Sequence, residues 1–163
     1  MLFIRLKLGV SLISGLIIFF SSFIYLSDEQ YSYIKENHSY LFRLVIPSIA
    51  LDKVIYDNNS ELNNVDYNVE ILSESDIGKG VYFLAGHSGY GDNCYFNRVK
   101  ELGVGDVIYV YYGNRMLIYE VVDKYLIIKS GYMEVDENLV NVLFLITCSD
   151  YGRQLIVKAV LIN

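Results

Sequence analysis

The chain changes its hydrophobic pattern once, near residue 40. From Leu8 to Leu26 no residue is charged and no polar face recurs at helical spacing, the pattern of a helix surrounded on all sides by apolar medium. Nineteen helical residues at about 1.5 Å each nearly cover a hydrocarbon core of about 30 Å. After Leu41 the pattern breaks into β-branched and aromatic runs separated by turn residues, which predicts strands. The runs are Leu41 to Ile46, Ile49 to Tyr56, Val65 to Leu72, Gly80 to His87, Val107 to Tyr112, Arg115 to Ile128, Leu143 to Cys148 and Arg153 to Leu161. Gly113 and Asn114 form a two-residue hairpin turn between two of them. A short helix is expected around Tyr95 to Leu102, ahead of Gly103 and Gly105. Eight short strands predict an all-β barrel or sandwich, folds that hide strand edges.

This pattern divides the chain into residues 1–7, an apolar span over 8–26, a polar Tyr-rich stalk over 27–40 and a folded body over 41–163. Arg5 and Lys7 precede the span, and Asp28 and Glu29 follow it. The positive-inside bias therefore predicts a cytoplasmic N-terminus, a single-pass transmembrane anchor in the cell membrane and an extracellular body. A cleaved signal peptide fits less well, because no alanine precedes Ala50 and no small-x-small pair follows the apolar run. His38, in the stalk, reads as a solvated side chain.

Composition narrows the function classes. Thirteen Lys and Arg against nineteen Asp and Glu give a formal charge of −6, which argues against nucleic acid as a partner. Sixteen Tyr, eight Phe and a single Pro in a chain that is 53% hydrophobic exclude a disordered or low-complexity class. Two cysteines, Cys94 and Cys148, are too few for a disulfide framework.

The chemistry concentrates at strand ends. Cys148 closes one strand, and Arg153 opens the next after Ser149, Asp150, Tyr151 and Gly152. The simplest hairpin register sets Cys148 opposite Arg153, with Cβ atoms about 5 Å apart on one face. A cation beside a strand-end cysteine favours the thiolate. His87 ends another apolar strand before Ser88, Gly89, Tyr90 and Gly91. A cysteine, a histidine and an arginine at strand ends supply a nucleophile, an acid/base and an oxyanion stabiliser.

Together, Leu84-Ala85-Gly86-His87-Ser88, Leu145-Ile146-Thr147-Cys148 and Arg153 ahead of an apolar strand resemble the signatures of the sortases, cysteine transpeptidases of Gram-positive surfaces. The resemblance runs from about Leu41 to Asn163 and includes Ile46-Pro47-Ser48-Ile49 and Leu102-Gly103-Val104-Gly105-Asp106. It implies an eight-stranded sortase-type β-barrel with one or two short helices, preceded here by the N-terminal transmembrane helix. It also implies His87, Cys148 and Arg153 as the catalytic set, and Ala85, Ile146 and Thr147 in the substrate groove. The implied reaction cleaves a C-terminal sorting signal of the Leu-Pro-x-Thr-Gly kind through a thioester. The acyl group then passes to an amine of a cell-wall precursor or another protein. The implied partners are surface proteins bearing the signal, the amine acceptor and the membrane. No cofactor is expected.

No second apolar span or aromatic N-terminal lid is evident, and Lys129 to Asn141 is too short for the helical insertion of one sortase class. A compact anchoring enzyme is therefore expected rather than a pilus-polymerising one. Glu70, Glu74 and Asp76 fall where some sortases bind calcium, but three loop carboxylates read as solvated, and no metal is expected. Two alternatives remain open. One is a cysteine endopeptidase or hydrolase using the same acyl-enzyme. The other is a non-catalytic surface barrel that binds peptide, or zinc through Cys94, Cys148, His87 and Asp92 or Asp150.

Overall fold

A computed structural model describes residues 40–130, 132–136 and 138–163. The expected cytoplasmic segment, membrane span and stalk, through Ser39, lie outside the described residues. Among the described residues no helix is long and apolar enough to cross a membrane.

Eight strands form one nearly closed barrel: β1 Phe42–Ile46, β2 Leu51–Ile55, β3 Glu70–Ile71, β4 Val81–Ala85, β5 Val107–Tyr112, β6 Arg115–Ile128, β7 Val142–Ser149 and β8 Arg153–Leu161. Their order in the sheet is β2-β1-β5-β6-β8-β7-β4-β3. Every neighbouring pair is antiparallel except β4 and β7, which run parallel from Val81 beside Val142 to Ala85 beside Ile146.

That parallel pair explains why its two sequences do not alternate. Tyr82, Leu84, Leu143 and Leu145 enter the main core with Phe42, Leu44, Ile108, Val110, Tyr119 and Val157. On the other face Val81, Phe83, Val142 and Phe144 form a second cluster with Ile156, and the Phe83 and Phe144 rings stack at 4.9 Å. Strands apolar on both faces are characteristic of parallel pairs covered on both sides. Here Leu72, Met133 and Leu139 pack over the outer cluster.

Strand β6 crosses from one environment to the other. Its register against β8 shifts between Val121 and Asp123, a bulge that reverses which side chains face inward. Tyr119 and Val121 therefore lie in the main core, while Tyr125 and Ile127 pack on the outer cluster.

The strands expected over 107–112, 115–128 and 153–161 are found with those bounds. The hairpin at Gly113 and Asn114 pairs Tyr112 with Arg115, and Gly113 takes the φ of +57° that such a turn needs. Of the run expected over Val65 to Leu72 only Glu70–Ile71 is strand. Polar side chains capture its backbone: Asn64 Oδ1 accepts from Asp66 N, and Glu70 Oε2 accepts from Val65 N, the local competition that turns Asn- and Asp-rich segments into loops. The expected strand from Ile49 begins at Leu51, after a 3-10 turn over Pro47–Ile49.

The expected helix at Tyr95 to Leu102 is a 3-10 turn over Val99–Glu101 preceded by turns. Phe96, Val99 and Leu102 are fully buried at spacing three, the period of a 3-10 rather than an α-helix. Three such turns, over Pro47–Ile49, Ile77–Lys79 and Val99–Glu101, are the helical elements among the described residues.

Candidate active site

The ends of β4 and β7 meet at one mouth of the barrel. The parallel ladder is extended by Gly86 N donating to Ile146 O at 3.1 Å, and this register carries His87 to the level of Cys148. Two side chains lock the junction. Thr147 Oγ1 donates to Gly86 O at 2.7 Å, and Ser88 Oγ donates to Cys148 O at 2.6 Å. Phe96 N donates to His87 O at 3.0 Å, tying the 3-10 segment to the same point.

The β7–β8 hairpin corrects the expected pairing. Ser149, not Cys148, stands opposite Arg153, and Cys148 faces Gln154. Tyr151 and Gly152 both have positive φ, 59° and 69°. Two successive left-handed residues make a tight primed turn. Arg153 N closes it on Asp150 O at 3.4 Å, so three residues rather than four connect the paired positions. A slip of one residue moves a side chain to the other face. Cys148 and Gln154 therefore share one face, and Ser149 and Arg153 the opposite one.

The face that carries Cys148 is the face of the outer cluster. It holds an apolar groove of about 320 Å³ lined by Leu72, Phe83, Ile127, Met133, Ile146 and Ile156 together with Glu74, Tyr132, Val135 and Gln154. Ile146 and Cys148 lie two residues apart on the same side of β7. Ala85, beside Ile146 in the ladder, belongs to the same side of β4. Thr147 points the other way, buried, with its hydroxyl on Gly86. Cys148 itself borders a more polar cavity that includes Ser88, Tyr90, Phe96, Asn97, Lys100, Asp150 and Leu155.

Two charged neighbours were not singled out from the sequence. His87 Nε2 lies 3.3 Å from Asp66 Oδ1, with the two side chains 42% and 78% exposed. Asp66 is presented by the turn that replaces the expected third strand, and its carbonyl accepts from Asn93 Nδ2 at 2.9 Å. Lys129 Nζ lies 3.7 Å from Cys148 Sγ. Arg153 instead turns to the hairpin tip, where Nε donates to Asp150 O at 3.3 Å and the guanidinium lies 5.8 Å from the Tyr151 ring centroid. Turn-rich composition around Asn64 marks the Asp66 loop, but nothing local to Lys129 announces its place beside Cys148.

Both cysteines are free thiols. Cys94 borders a separate polar cavity with Asp66, His87, Asp92 and Asn93. Among the described residues no three His, Cys, Asp or Glu side chains converge as a metal site. The carboxylates weighed for calcium are engaged separately: Glu70 with Val65 N, Glu74 with Ser73, and Asp76 with Lys79.

Comparison with known proteins follows the same outline. The family model described as Sortase domain matches residues 44–162. Sortase A of Bacillus anthracis is 27% identical over 106 residues, covering 65% of this chain and 50% of that protein. The chain thus spans about half the length of this curated relative. Among solved structures, sortase C-1 from Actinomyces oris is 25% identical, covers 83% of this chain and 81% of its own, and superposes with a TM-score of 0.64. Sortase C2 of Group B Streptococcus Pilus Island 1 is 25% identical, with 77% and 76% covered and a TM-score of 0.67. Sortase A from Corynebacterium diphtheriae, at 22% identity, 78% and 62% coverage and a TM-score of 0.63, shares the fold.

Proposed function

The chain belongs to the sortase family, and on that premise we propose that it is a membrane-anchored cysteine transpeptidase acting on C-terminal sorting signals of surface proteins. The observation that carries this reading is Cys148 on the sheet face that holds the apolar groove, paired with the groove residue Gln154 and level with His87, which lies two residues past the end of the parallel strand β4. An extended peptide lies in the groove with apolar side chains against Ile146, Ile156 and Phe83, and its scissile carbonyl reaches the sulfur.

In the first step the Cys148 thiolate attacks that carbonyl. A C–S bond forms, the peptide C–N bond breaks, and His87 delivers a proton to the leaving amine. In the second step His87 takes a proton from the incoming amine, whose nitrogen displaces the sulfur and regenerates the thiolate. Arg153 swings from the hairpin tip to the oxyanion or to the bound backbone, where a planar fork of donors suits it better than a point charge would. Asp66, with Oδ1 3.3 Å from His87 Nε2, orients the ring. The acceptor is an amine of a cell-wall precursor or of another surface protein. The apolar span over 8–26 anchors the enzyme in the cell membrane with the barrel outside.

The test is incubation of the full-length protein in detergent with a labelled Leu-Pro-x-Thr-Gly peptide, with and without an oligoglycine or diamine acceptor. Ligated product and a mass adduct on Cys148 are expected. Cleavage that ignores every amine would make the protein a hydrolase, and absence of any adduct would leave a non-catalytic barrel.

A further inference from the structure

Sheet register and one contact place a cation other than Arg153 beside the candidate nucleophile. Gln154 of β8 stands between Cys148 of β7 and Ile127 of β6, so these three form a row on the groove face. Lys129 lies two residues beyond Ile127, and its backbone N donates to Gly152 O at 2.9 Å. The β6–β8 ladder thereby continues to the hairpin tip and returns Lys129 to that same face. The side chain completes the relation, with Nζ 3.7 Å from Cys148 Sγ. Arg153 pairs with Ser149 on the opposite face and is held by Asp150 O and Tyr151.

We propose that Lys129 is a further catalytic residue, whose ammonium pairs with the Cys148 thiolate in the resting enzyme. The proposal rests on the reading of Cys148 as the nucleophile. It divides the cationic work: the Lys129 ammonium stands beside the sulfur before substrate arrives, and Arg153 remains available for the carbonyl oxygen or the peptide backbone. The bulge after Val121 is what makes this possible. Without its change of face, Ile127 and Lys129 would point away from the groove.

The test is the second-order rate at which iodoacetamide alkylates Cys148 at neutral pH, in a full-length Cys94→Ser background where it is the one remaining thiol. The thiolate displaces iodide and no peptide takes part, so the result stands whether or not sorting peptides are cleaved. Lys129→Met, which keeps the aliphatic stem and removes the charge, is expected to slow alkylation about three- to tenfold, the range for an exposed pair in contact. Lys129→Arg is expected to stay within about twofold of the parent because charge at that position is kept. Lys100→Met removes a charge from the adjoining polar cavity and is expected to leave the rate unchanged. Equal rates for Lys129→Met and its parent overturn the proposal, as does an equal loss in Lys100→Met, which would reveal a diffuse field rather than a pair. An intact Lys129 effect with no peptide cleavage would instead overturn the transpeptidase reading alone.

Discussion

Gly86 lies against the ring of Phe96 so closely that a Cβ at this position would stand 2.7 Å from Cγ and 2.8 Å from Cδ2. Phe96 is fully buried and cannot swing into solvent. Its backbone is also bonded to His87, the residue that follows Gly86. Gly86→Ala therefore has to displace the ring, the 3-10 segment or the strand end. Overpacking of this kind costs about 1–3 kcal/mol, and thermal unfolding should record the loss together with reduced alkylation or turnover at Cys148. A variant with the parent's melting temperature would show that the ring yields freely.

Thr147→Val keeps shape and burial but removes the donor to Gly86 O. That carbonyl then loses its side-chain partner, a change expected to cost about 1–3 kcal/mol. Because the bond ties β7 to β4 one residue before Cys148 and His87, peptide cleavage should fall more in kcat than in KM. Thr147→Ser should recover most of both.

The opposite sign is expected inside the barrel. Tyr119 is completely buried, and its hydroxyl has no hydrogen-bond partner among the described residues. Burial pushes the phenol far above its ordinary pKa, with the Tyr82 hydroxyl adding to the effect. Tyr119→Phe removes a desolvated group without opening a cavity. It should stabilise by about 1 kcal/mol, roughly 3–5 °C in melting temperature for a domain of this size. A lower melting temperature would mean that the hydroxyl is satisfied.

Asp76 caps the 3-10 turn ahead of β4, accepting from Lys79 N at 3.1 Å with Lys79 Nζ at 3.3 Å. The Lys79 backbone N–H chiefly, with the Lys79 side chain, holds its carboxyl below the usual value. A carboxylate depressed in the folded state contributes stability above its unfolded pKa and loses it as pH falls through the folded one. The melting-temperature gap between the parent and Asp76→Ala should therefore be largest near neutrality and narrow below about pH 4. A gap independent of pH would show that the cap acts without its charge.

Cys148→Ala should abolish peptide cleavage and ligation while the melting temperature changes little, because the side chain is small and only partly buried at a strand end. Residual ligation by that variant would remove the proposed nucleophile.

Period and turn chemistry are local, and so the strands over 107–112, 115–128 and 153–161, the Gly113–Asn114 hairpin and the all-β class could be read directly from the chain. The same holds for the chemical identity of His87, Cys148 and Arg153 and for the places of Cys148 and Arg153 at strand ends, whereas the strand expected to end at His87 stops at Ala85. Tertiary structure decided which faces those ends present. The one-residue offset that sets Cys148 against Gln154 comes from successive left-handed residues in the hairpin turn. The arrival of Lys129 at the sulfur comes from a bulge in β6 and its pairing with β8. The pairing of His87 with Asp66 joins residues 21 apart, across a segment whose own side chains dissolve the expected strand. A period of two says that side chains alternate but not where the count begins. Only the hydrogen-bonded neighbours, most of them distant in sequence, fix that origin.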